Sequence, residues 1–418
     1  VHSATSHGPI DPNTTGGSDS ISSTFSQLSM LAALMREMLR ERAVALLEIS
    51  LSNLSAQNGY VIGQGKKLSY AQIVAQTSEW SLPDTEPTLK KPEKYQVIGK
   101  ALPRVDLVAK VKAEPIFGID ATFPGMVYAA VVRSPYFGAV RGVVNAQEAS
   151  KSLGVIRVVE QPEFVAVLAK SRYEALMAKE KLQIAWTSPT PLLQQKEVND
   201  MVQIGKGDLT VVQENGDVTG LEEGEDNIKL EFHTPLGAHA QMEPNGVAAY
   251  YKDGKVVVKM STQSVKNTRN EIAEATGIRA EDIDIHPTFM GGGFGRRLYT
   301  PHAYEAVVLS QEIGLPVHVL FEREQEFQNG YLRPLTHHKL SAKLNNSKIE
   351  AIEHQIASGD VAFGSSLVPS FAPTVLGADF GAWRGGLFHY ENIANSNQIC
   401  TLLKILKHDS KNRRFDSA

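Results

Sequence analysis

Apolar positions along the chain recur at two spacings, one typical of strands and one typical of helices. Alternation of polar and apolar residues predicts a strand at Asp282 to His286, and Lys255 to Met260 also has the pattern of a strand. Helical spacing from Pro301 to Ile313, with Gly314 directly after it, predicts a helix whose two ends are both marked. The glycine-rich stretch Met290 to Arg297 therefore stands directly between a predicted strand and a predicted helix.

The N-terminal part of the chain has a different pattern. Leu28 to Leu47 has helical spacing but carries several charged residues, which predicts an amphipathic helix and not a membrane span. Ser69 is placed to cap a second helix, Tyr70 to Trp80. A proline- and lysine-rich segment, residues 83–95, follows and is typical of a linker.

Residues 96–190 alternate between helical and extended patterns, as a compact α/β domain does. A charged, glycine-containing connection from about residue 189 to 226 separates them from residues 227–395, where the alternation resumes. These patterns together predict a mixed α+β fold. The elements predicted between residues 96 and 190 are helices at Ala146 to Leu153 and Ser171 to Leu182, and strands at Val155 to Val159, Phe164 to Ala169 and Gln183 to Trp186.

The glycine-rich stretch has the chemistry of an anion-binding loop. Glycines let the backbone approach a ligand closely and point N–H groups at phosphate or oxo oxygens, while Arg296 and Arg297 add positive charge. A dinucleotide-binding fingerprint would need glycine where Arg296 or Leu298 stands, and no Gly-Lys-Ser/Thr phosphate-binding motif follows. The residues alone leave two alternatives open: a loop that binds an anionic cofactor, or a glycine-rich turn without a ligand.

Composition is that of a globular protein long enough for two or three domains. The chain has 418 residues, 42% of them hydrophobic and 21% charged, and a net charge of −4, which gives no reason to expect nucleic acid as a partner. The single cysteine, Cys400, excludes a disulfide between two cysteines of this chain and an iron–sulfur cluster ligated by its cysteines alone. Any electrons released here would have to leave through another subunit.

Several separated motifs follow one another in an order typical of one enzyme family. Gly291 to Arg297, preceded by Ser261-Thr262-Gln263, resembles cofactor segments of the molybdenum-binding subunits of the xanthine dehydrogenase and aldehyde oxidase family. The form Gly-Gly-Gly-Phe-Gly-Arg-Arg is most similar to the branch formed by the beta subunits of isoquinoline 1-oxidoreductase. Further similar segments are His239 to Pro244, Val97 to Lys100, Leu102 to Asp106, Phe117 to Asp120, Pro124 to Ala129, Glu322 to Glu324 and Arg333-Pro334.

The resemblance implies a domain organisation. Residues 1–82 would be an N-terminal piece of the molybdopterin-binding domain, residues 83–95 a linker, and residues 96–190 an α/β hammerhead domain. Residues 227–395 would be the first part of the molybdopterin-binding domain of aldehyde oxidase and xanthine dehydrogenase type. Residues 396–418 match nothing in the family, and the chain is expected to be truncated at both ends.

The resemblance also implies which residues contact the cofactor. From spacing alone Gln263 is a helix-capping polar residue and Phe294 is a packing anchor, whereas the family places both beside the molybdenum cofactor. The serine-rich stretch before the first helix would contact the pterin dinucleotide, although composition alone indicates a flexible tail equally well. The implied cofactor-binding residues are Gln263, Gly292, Gly293, Phe294, Gly295, Arg296, Ser18, Ser20 and Ser22.

The implied activity is oxidoreduction by a molybdenum hydroxylase. Molybdopterin, expected in its cytosine dinucleotide form, would hold molybdenum through its dithiolene, so no side-chain metal ligands are expected. The reaction would place water-derived oxygen on an N-heterocycle or an aldehyde, and a small subunit with [2Fe–2S] clusters would take the electrons. A catalytic glutamate is expected beyond the C-terminus, and none of Glu243, Glu305 and Glu322 falls in the matching motif.

Two alternatives to this activity remain. The chain could be a catalytically silent fragment or binding module that keeps the fold, and a nicotinamide dehydrogenase is a weak third possibility because its fingerprint fails at Arg296. His239 and Glu243 are interpreted as structural residues, since Pro244 disfavours the helix that would let them share a metal ion. His337-His338 is interpreted as a surface pair and not as a ligand pair.

The expected source is bacterial, in the cytoplasm or the periplasm, with any N-terminal signal region outside this sequence.

Overall fold

The computed structural model describes residues 15–16, 20–114, 116–136, 139–188, 191–192, 194–221, 223, 227–330, 332–359 and 395–402. The chain divides into two compact units, one of Thr15–Glu114 and one that includes Pro115–Ala418. Among the described residues, helices long and apolar enough to cross a membrane are absent.

The first unit combines one long helix with a small antiparallel sheet. Its core is formed by Ala43, Leu47, Ile49, Leu54, Val61 and Ile73. Ser69 caps the second helix as predicted, because its side chain accepts from the N–H of Gln72 and the Gln72 side chain accepts from the N–H of Ser69. That helix ends at Ala75, earlier than the predicted Trp80. The elements are α1 (Ser20–Leu47), β1 (Ser55–Gln57), β2 (Tyr60–Gly63), β3 (Lys66–Ser69), α2 (Tyr70–Ala75) and α3 (Leu107–Val111).

The second unit alternates strands and helices along most of its length. Its strands are β4 (Val127–Arg133), β5 (Val140–Asn145), β6 (Val155–Glu160), β7 (Phe164–Ala169), β8 (Gln183–Thr187), β9 (Asp208–Asn215), β10 (Ile228–Thr234), β11 (Gly246–Lys252), β12 (Lys255–Met260), β13 (Ile283–Pro287), β14 (Val317–Leu320), β15 (Thr336–Asn345), β16 (Lys348–Ser358) and β17 (Asn395–Leu402). Its helices are α4 (Gln147–Ser150), α5 (Arg172–Lys179), α6 (Gln195–Met201), α7 (Val265–Thr276), α8 (Pro301–Ile313) and α9 (Arg323–Gln328).

A mixed seven-stranded sheet in the order β13-β12-β11-β14-β4-β7-β6 forms the centre of the second unit. Strands β12 and β13 are parallel, as are β14 and β4, and the other neighbours are antiparallel. Helix α8 packs on β11 and β14, and α7 packs on α8 and β13. The largest apolar core lies here and includes Phe164, Met260, Ile272 and Leu309. The sheet therefore unites strands from residues 96–190 with strands from residues 227–395.

A second sheet of five strands has the order β10-β15-β16-β17-β9. Strand β9 and helix α6 form within the connection that the sequence analysis placed between residues 189 and 226, and β9 becomes an edge of this sheet. Strand β10 is the opposite edge, and all of its residues are exposed. Strands β5 and β8 pair in a small sheet of their own.

The helices next to the glycine-rich stretch end where their residues predict. Helix α8 begins at Pro301, which tolerates the first helical position because it lacks an N–H. It stops at Gly314, whose φ of 69° is left-handed and whose N–H donates to the Ser310 carbonyl. Helix α7 likewise stops at Gly277, with a φ of 72°. The predicted helix from Pro301 to Ile313 is therefore confirmed at both ends.

The interpretation of His337-His338 as a surface pair is wrong for His337, which is 3% exposed. Strand β15 lies inside the five-stranded sheet, between β10 and β16. The His337 side chain is covered on one face of the sheet, where its Nδ1 accepts from the N–H of Ile204. His338 points to the other face and is partly buried against His354. Cover on both faces of a strand cannot be recognised from two adjacent histidines.

Candidate functional site

The glycine-rich stretch forms a tight loop between β13 and α8, and we call residues Gly291 to Arg297 the glycine loop. The φ angles of Gly292, Phe294 and Gly295 are 108°, 54° and 98°. Glycine adopts such angles readily, whereas a phenylalanine does so only at a cost in free energy. The loop is therefore a strained, defined turn that the surrounding residues must hold in place.

Glu243 holds the start of the loop. Its backbone N–H donates to the Gly291 carbonyl at 3.0 Å, and its Oε2 accepts from the Gly291 N–H at 2.7 Å. The same carboxylate lies 3.0 Å from Nη2 of Arg297 at the other end of the loop. Arg297 also donates from Nε to the Gly292 carbonyl at 2.8 Å. One carboxylate and one guanidinium thus tie together the two ends of the turn.

Gln263 holds the end of the loop. Its Oε1 accepts from the N–H of Gly295 at 2.9 Å and from the N–H of Arg297 at 3.3 Å. Its own backbone N–H donates to the Arg297 carbonyl at 3.0 Å. The side chain is 7% exposed and stands just before α7, which Ser264 caps. Because the amide oxygen is committed to the loop, the orientation of the whole Gln263 amide group is fixed.

Two glycines are required by close packing of these residues. A Cβ on Gly291 would lie 2.5 Å from Cβ of Glu243, and one on Gly293 would lie 2.7 Å from Oε1 of Gln263. Real Cβ atoms essentially never show distances as short as these two. The loop glycines are therefore explained both by their backbone angles and by the side chains that hold the loop.

The two arginines of the loop point into the protein. Arg296 and Arg297 are 1% and 0% exposed. Nε of Arg296 lies 3.3 Å from Glu326, and its Nη2 donates to the Asn329 carbonyl at 2.8 Å. Burial lowers the pKa of each arginine, and Glu326 and Glu243, respectively, partly offset that effect. Their positive charges are thus directed at buried carboxylates, although the sequence analysis expected them beside an anionic ligand.

A buried histidine lies behind the loop, in the first turn of α8. His302 is fully buried, and among the described residues neither of its ring nitrogens has a hydrogen-bond partner. Its ring stands edge-on to Phe321 at 5.5 Å. Burial lowers the pKa of His302 well below its ordinary value, and Arg296, Arg297 and Arg133 lower it further. The imidazole is therefore neutral at pH 7.

The outer side of the loop is open to a ligand. Within the described residues, the N–H groups of Gly292, Gly293 and Phe294 donate to no protein acceptor. These residues are partly or fully accessible, and Phe294 is 61% exposed. Successive N–H groups in a turn with left-handed residues form a concave site that suits an anion.

The structure brings most of the expected cofactor-binding residues together. Gln263 and Gly292 to Arg296 meet at the loop, whereas Ser20 and Ser22 lie in the first turn of α1 in the other unit. Ser18 lies outside the described residues. Glu326 was not among the residues expected at the site, and its carboxylate also accepts from the side chain of Gln241 at 2.7 Å. Glu243 was interpreted as a structural residue with no place at the loop, although the segment His239 to Pro244 was itself a signal.

Comparison with known proteins gives a consistent result. A sequence profile of the molybdopterin cofactor-binding domain matches residues 200–400. The chain is 28% identical over 313 residues to a nicotinate dehydrogenase subunit from Pseudomonas putida, covering 72% of this chain and 26% of that protein. It is 26% identical over 319 residues to the beta subunit of isoquinoline 1-oxidoreductase from Brevundimonas diminuta, covering 72% of this chain and 40% of that protein.

Solved structures share the fold. Quinoline 2-oxidoreductase from Pseudomonas putida 86 superposes with a TM-score of 0.55 at 17% identity, covering 73% of this chain and 44% of that one. The chain spans 26% to 47% of the length of three of the curated relatives that it matches. The expected α+β fold and the family resemblance are confirmed. The chain belongs to the molybdopterin-binding family of xanthine dehydrogenase and aldehyde oxidase.

Proposed function

We propose that this chain binds a molybdopterin dinucleotide at the glycine loop and is part of an oxidoreductase that inserts water-derived oxygen into its substrate. The observation that carries the proposal is the row of N–H groups at Gly292, Gly293 and Phe294, which have no acceptor among the described residues. Loop amides of this kind bind oxo or phosphate oxygens.

The residues of the site fit such a cofactor. Glu243 and Gln263 engage the loop from inside the protein, so its outer side is left for a ligand. A Cβ on Gly295 would meet only Nε2 of His239, at 3.6 Å, so the loop is not packed tightly there. Phe294 would border the bound group with an apolar face. The hydrogen bonds from Glu243 and Gln263 hold these groups in place against the backbone strain at Phe294.

The chain's own contribution is to bind and orient. A molybdenum cofactor held at this loop would supply the two-electron oxidation and the oxygen derived from water. The loop N–H groups would hold oxygens of the cofactor, and Phe294 would shield the reacting groups from bulk water. Gln263 cannot swing away, because its Oε1 is bound to the N–H groups of Gly295 and Arg297.

We assign no catalytic base among the carboxylates at the loop. Glu243 is bound to the Gly291 N–H and to Arg297, and Glu326 is bound to Gln241 and faces Arg296. A carboxylate that leaves a buried arginine uncompensated would destabilise the fold. The base would therefore come from a part of the enzyme other than these two residues, as the family resemblance implies.

The proposed substrate is an electron-poor N-heterocycle, with an aldehyde as the alternative. Two of the relatives are named for nicotinate and isoquinoline, and a related structure for quinoline. We further propose the cytosine dinucleotide form of the cofactor, and a small subunit with [2Fe–2S] clusters as the electron acceptor. Residues 96–190 would be the hammerhead domain, with residues 1–82 and 227–395 in the cofactor-binding domain, and Ser18, Ser20 and Ser22 would contact the dinucleotide.

The test is to purify the chain with the subunits that accompany it and to measure molybdenum and acid-released cytidine nucleotide per chain. We expect about one of each, and a loss of both in Gln263→Ala, since that change releases the loop amides of Gly295 and Arg297. The matched control is Gln325→Ala, which removes a partly buried side-chain bond to the Val131 carbonyl outside the loop. A folded complex without molybdenum would favour the alternative, a silent binding module.

A further inference from the structure

A cluster of two histidines and one glutamate lies on the five-stranded sheet, outside the glycine loop. It consists of Glu231 and His233 on β10 and His337 on β15. One ligand atom of each residue lies within 4.8 Å of the other two. Neither the resemblance nor the proposed cofactor gives these residues a role.

The strand register explains why the three side chains meet. His233 and His337 are directly opposite each other in the antiparallel pair of β10 and β15. Glu231 precedes His233 by two positions and therefore points to the same face of the sheet. The two imidazole rings stack at 4.2 Å with an angle of 17° between their planes. The paired strands β10 and β15 thus present all three side chains on one face of the sheet.

The distances within the cluster suit a small ion. Oε1 of Glu231 lies 2.7 Å from Nε2 of His337 and 3.6 Å from Nε2 of His233. Tetrahedral zinc bonds of about 2.0–2.1 Å place neighbouring ligand atoms about 3.3 Å apart. The two observed distances bracket that value. Because the stacked rings are nearly parallel, their nitrogen lone pairs do not yet converge, and the exposed His233 ring would have to turn out of the stack to complete the geometry.

The cluster has one fixed member and two that can adjust. His337 is 3% exposed and held by the Ile204 N–H, whereas the side chains of His233 and Glu231 are 55% and 54% exposed. Two accessible ligands allow an ion to enter and leave room for water in the remaining positions. Because Nδ1 of His337 accepts from Ile204 at 3.2 Å, Nε2 carries the proton and donates it to Glu231.

That proton occupies the place that an ion would take. An ion bound at Nε2 would shift the ring proton to Nδ1, and the contact with the Ile204 N–H would be given up. The bonds from the ion to His337, His233 and Glu231 would have to outweigh the lost hydrogen bond from His337 to the Glu231 carboxylate and the lost acceptor of the Ile204 N–H. The proton shift on His337 also predicts a change in the amide resonance of Ile204, because that N–H would lose its acceptor when the ion binds.

We infer that Glu231, His233 and His337 form a binding site for a divalent ion of the zinc class. Two imidazoles and a carboxylate suit zinc, nickel or cobalt better than magnesium or calcium, which prefer oxygen ligands only. Strand β10 is an edge strand with every residue exposed, so an ion that bridges it to β15 would clamp that edge. The site is separate from molybdopterin binding and stands whether or not that proposal holds.

The test uses tag-free, chelator-treated protein titrated with Zn²⁺ by calorimetry, and with Co²⁺ by its visible absorption. We expect saturable binding of one ion per chain, together with a shift of the Ile204 amide resonance. Loss of even an outer partner of a metal ligand typically weakens binding about 10–100-fold, so His233→Ala and Glu231→Gln should each weaken Zn²⁺ binding at least about tenfold. Both residues are exposed, so neither change should unfold the sheet.

The matched control is His286→Ala. His286 is also an exposed strand histidine bound to a nearby carboxylate, at 2.8 Å from Asp284, but it stands outside the cluster. Zn²⁺ affinity should be unchanged in this variant. The inference is overturned if the wild-type protein shows no saturable binding, or if His286→Ala weakens binding as much as His233→Ala does.

Discussion

Nη2 of Arg297 lies 3.0 Å from Oε2 of Glu243, and the two side chains are 0% and 4% exposed. The same guanidinium donates to the Glu243 carbonyl at 2.7 Å. Residues that are 54 positions apart in the chain thus form a buried ion pair behind the glycine loop. Burial of both charges makes the pair sensitive to the loss of either partner, because the remaining charge would be uncompensated.

Glu243→Ala should therefore lower the free energy of unfolding strongly. Removal of one partner of a buried ion pair typically costs about 3 to 5 kcal/mol. Glu243→Gln keeps an oxygen for the Gly291 N–H and should cost less than the alanine change. The measurement is denaturant unfolding followed by circular dichroism.

The control for that measurement is Glu312→Ala. Glu312 pairs with Arg157 at 3.1 Å, but the two side chains are 37% and 51% exposed. Exposed pairs contribute about 0 to 1 kcal/mol, so this change should be nearly neutral. If Glu243→Ala and Glu312→Ala lower the free energy of unfolding equally, the charge of buried Arg297 does not need Glu243 to compensate it.

Gly293→Ala should separate cofactor retention from stability. Its Cβ would lie 2.7 Å from Oε1 of Gln263, so either the Gln263 amide or the loop must move. We expect a large loss of molybdenum per chain. The control is Gly314→Ala, which has a φ of 69° and open space for a Cβ. That change should cost about 1 to 2 kcal/mol through backbone strain and leave the molybdenum content unchanged. Retained molybdenum in Gly293→Ala would contradict the role given to Gln263.

We expect Phe294 to lower the free energy of unfolding and to be needed for turnover. A φ of 54° strains any side chain with a Cβ, and the ring is 61% exposed, so it contributes little by burial. Phe294→Gly should relieve about 1 to 2 kcal/mol of backbone strain, and the greater freedom of glycine in the unfolded chain offsets roughly 0.5 to 1 kcal/mol of that. We therefore expect the free energy of unfolding to rise by up to about 1 kcal/mol. Phe294→Ala keeps the strain and serves as the matched variant. Both should impair turnover in the complete enzyme, and full activity in both would argue against a place for Phe294 at the cofactor.

Sequence patterns predicted the elements whose signals are local. Pro301 and Gly314 mark the ends of α8, and the valine-rich strand pattern from Lys255 to Met260 gives β12, because these signals need only neighbouring residues. Gln263 was associated with the glycine loop through the family resemblance, and the structure shows the bonds between them. The inward direction of Arg296 could not be predicted, since its partner Glu326 is brought to it only by the fold.

Distant contacts also explain why His337 was placed at the surface. Two adjacent histidines give no periodic signal, and the cover over His337 comes from Ile204, which is 133 positions away. Strand β9 was missed for a related reason. Its residues, Asp208–Asn215, lie in a charged, glycine-containing segment, and they become a strand by pairing with β17. Tertiary pairing overrides local propensity in such edge strands.

His302 should make the protein less stable in mild acid. The pKa of the folded imidazole lies well below 6.5, the ordinary value expected in the unfolded chain. Below pH 6.5 the unfolded chain therefore binds a proton that the folded protein cannot take up. The contribution of neutral His302 to the free energy of unfolding is therefore fully present above pH 6.5. It is lost as the pH falls toward the pKa of the folded protein, by up to about 1.4 kcal/mol per pH unit.

His302→Phe tests this directly. The ring already stands edge-on to Phe321, and both of its nitrogens lack hydrogen-bond partners among the described residues, so phenylalanine keeps the shape and removes two unsatisfied groups. We expect a neutral or stabilising effect at pH 7.5. Between pH 6.5 and 5.5 the variant should lose about 1 kcal/mol less than the wild type, measured as free energies of unfolding in urea. Parallel pH profiles for the two proteins would mean that His302 takes up a proton while folded, which requires an acceptor or water beside its ring.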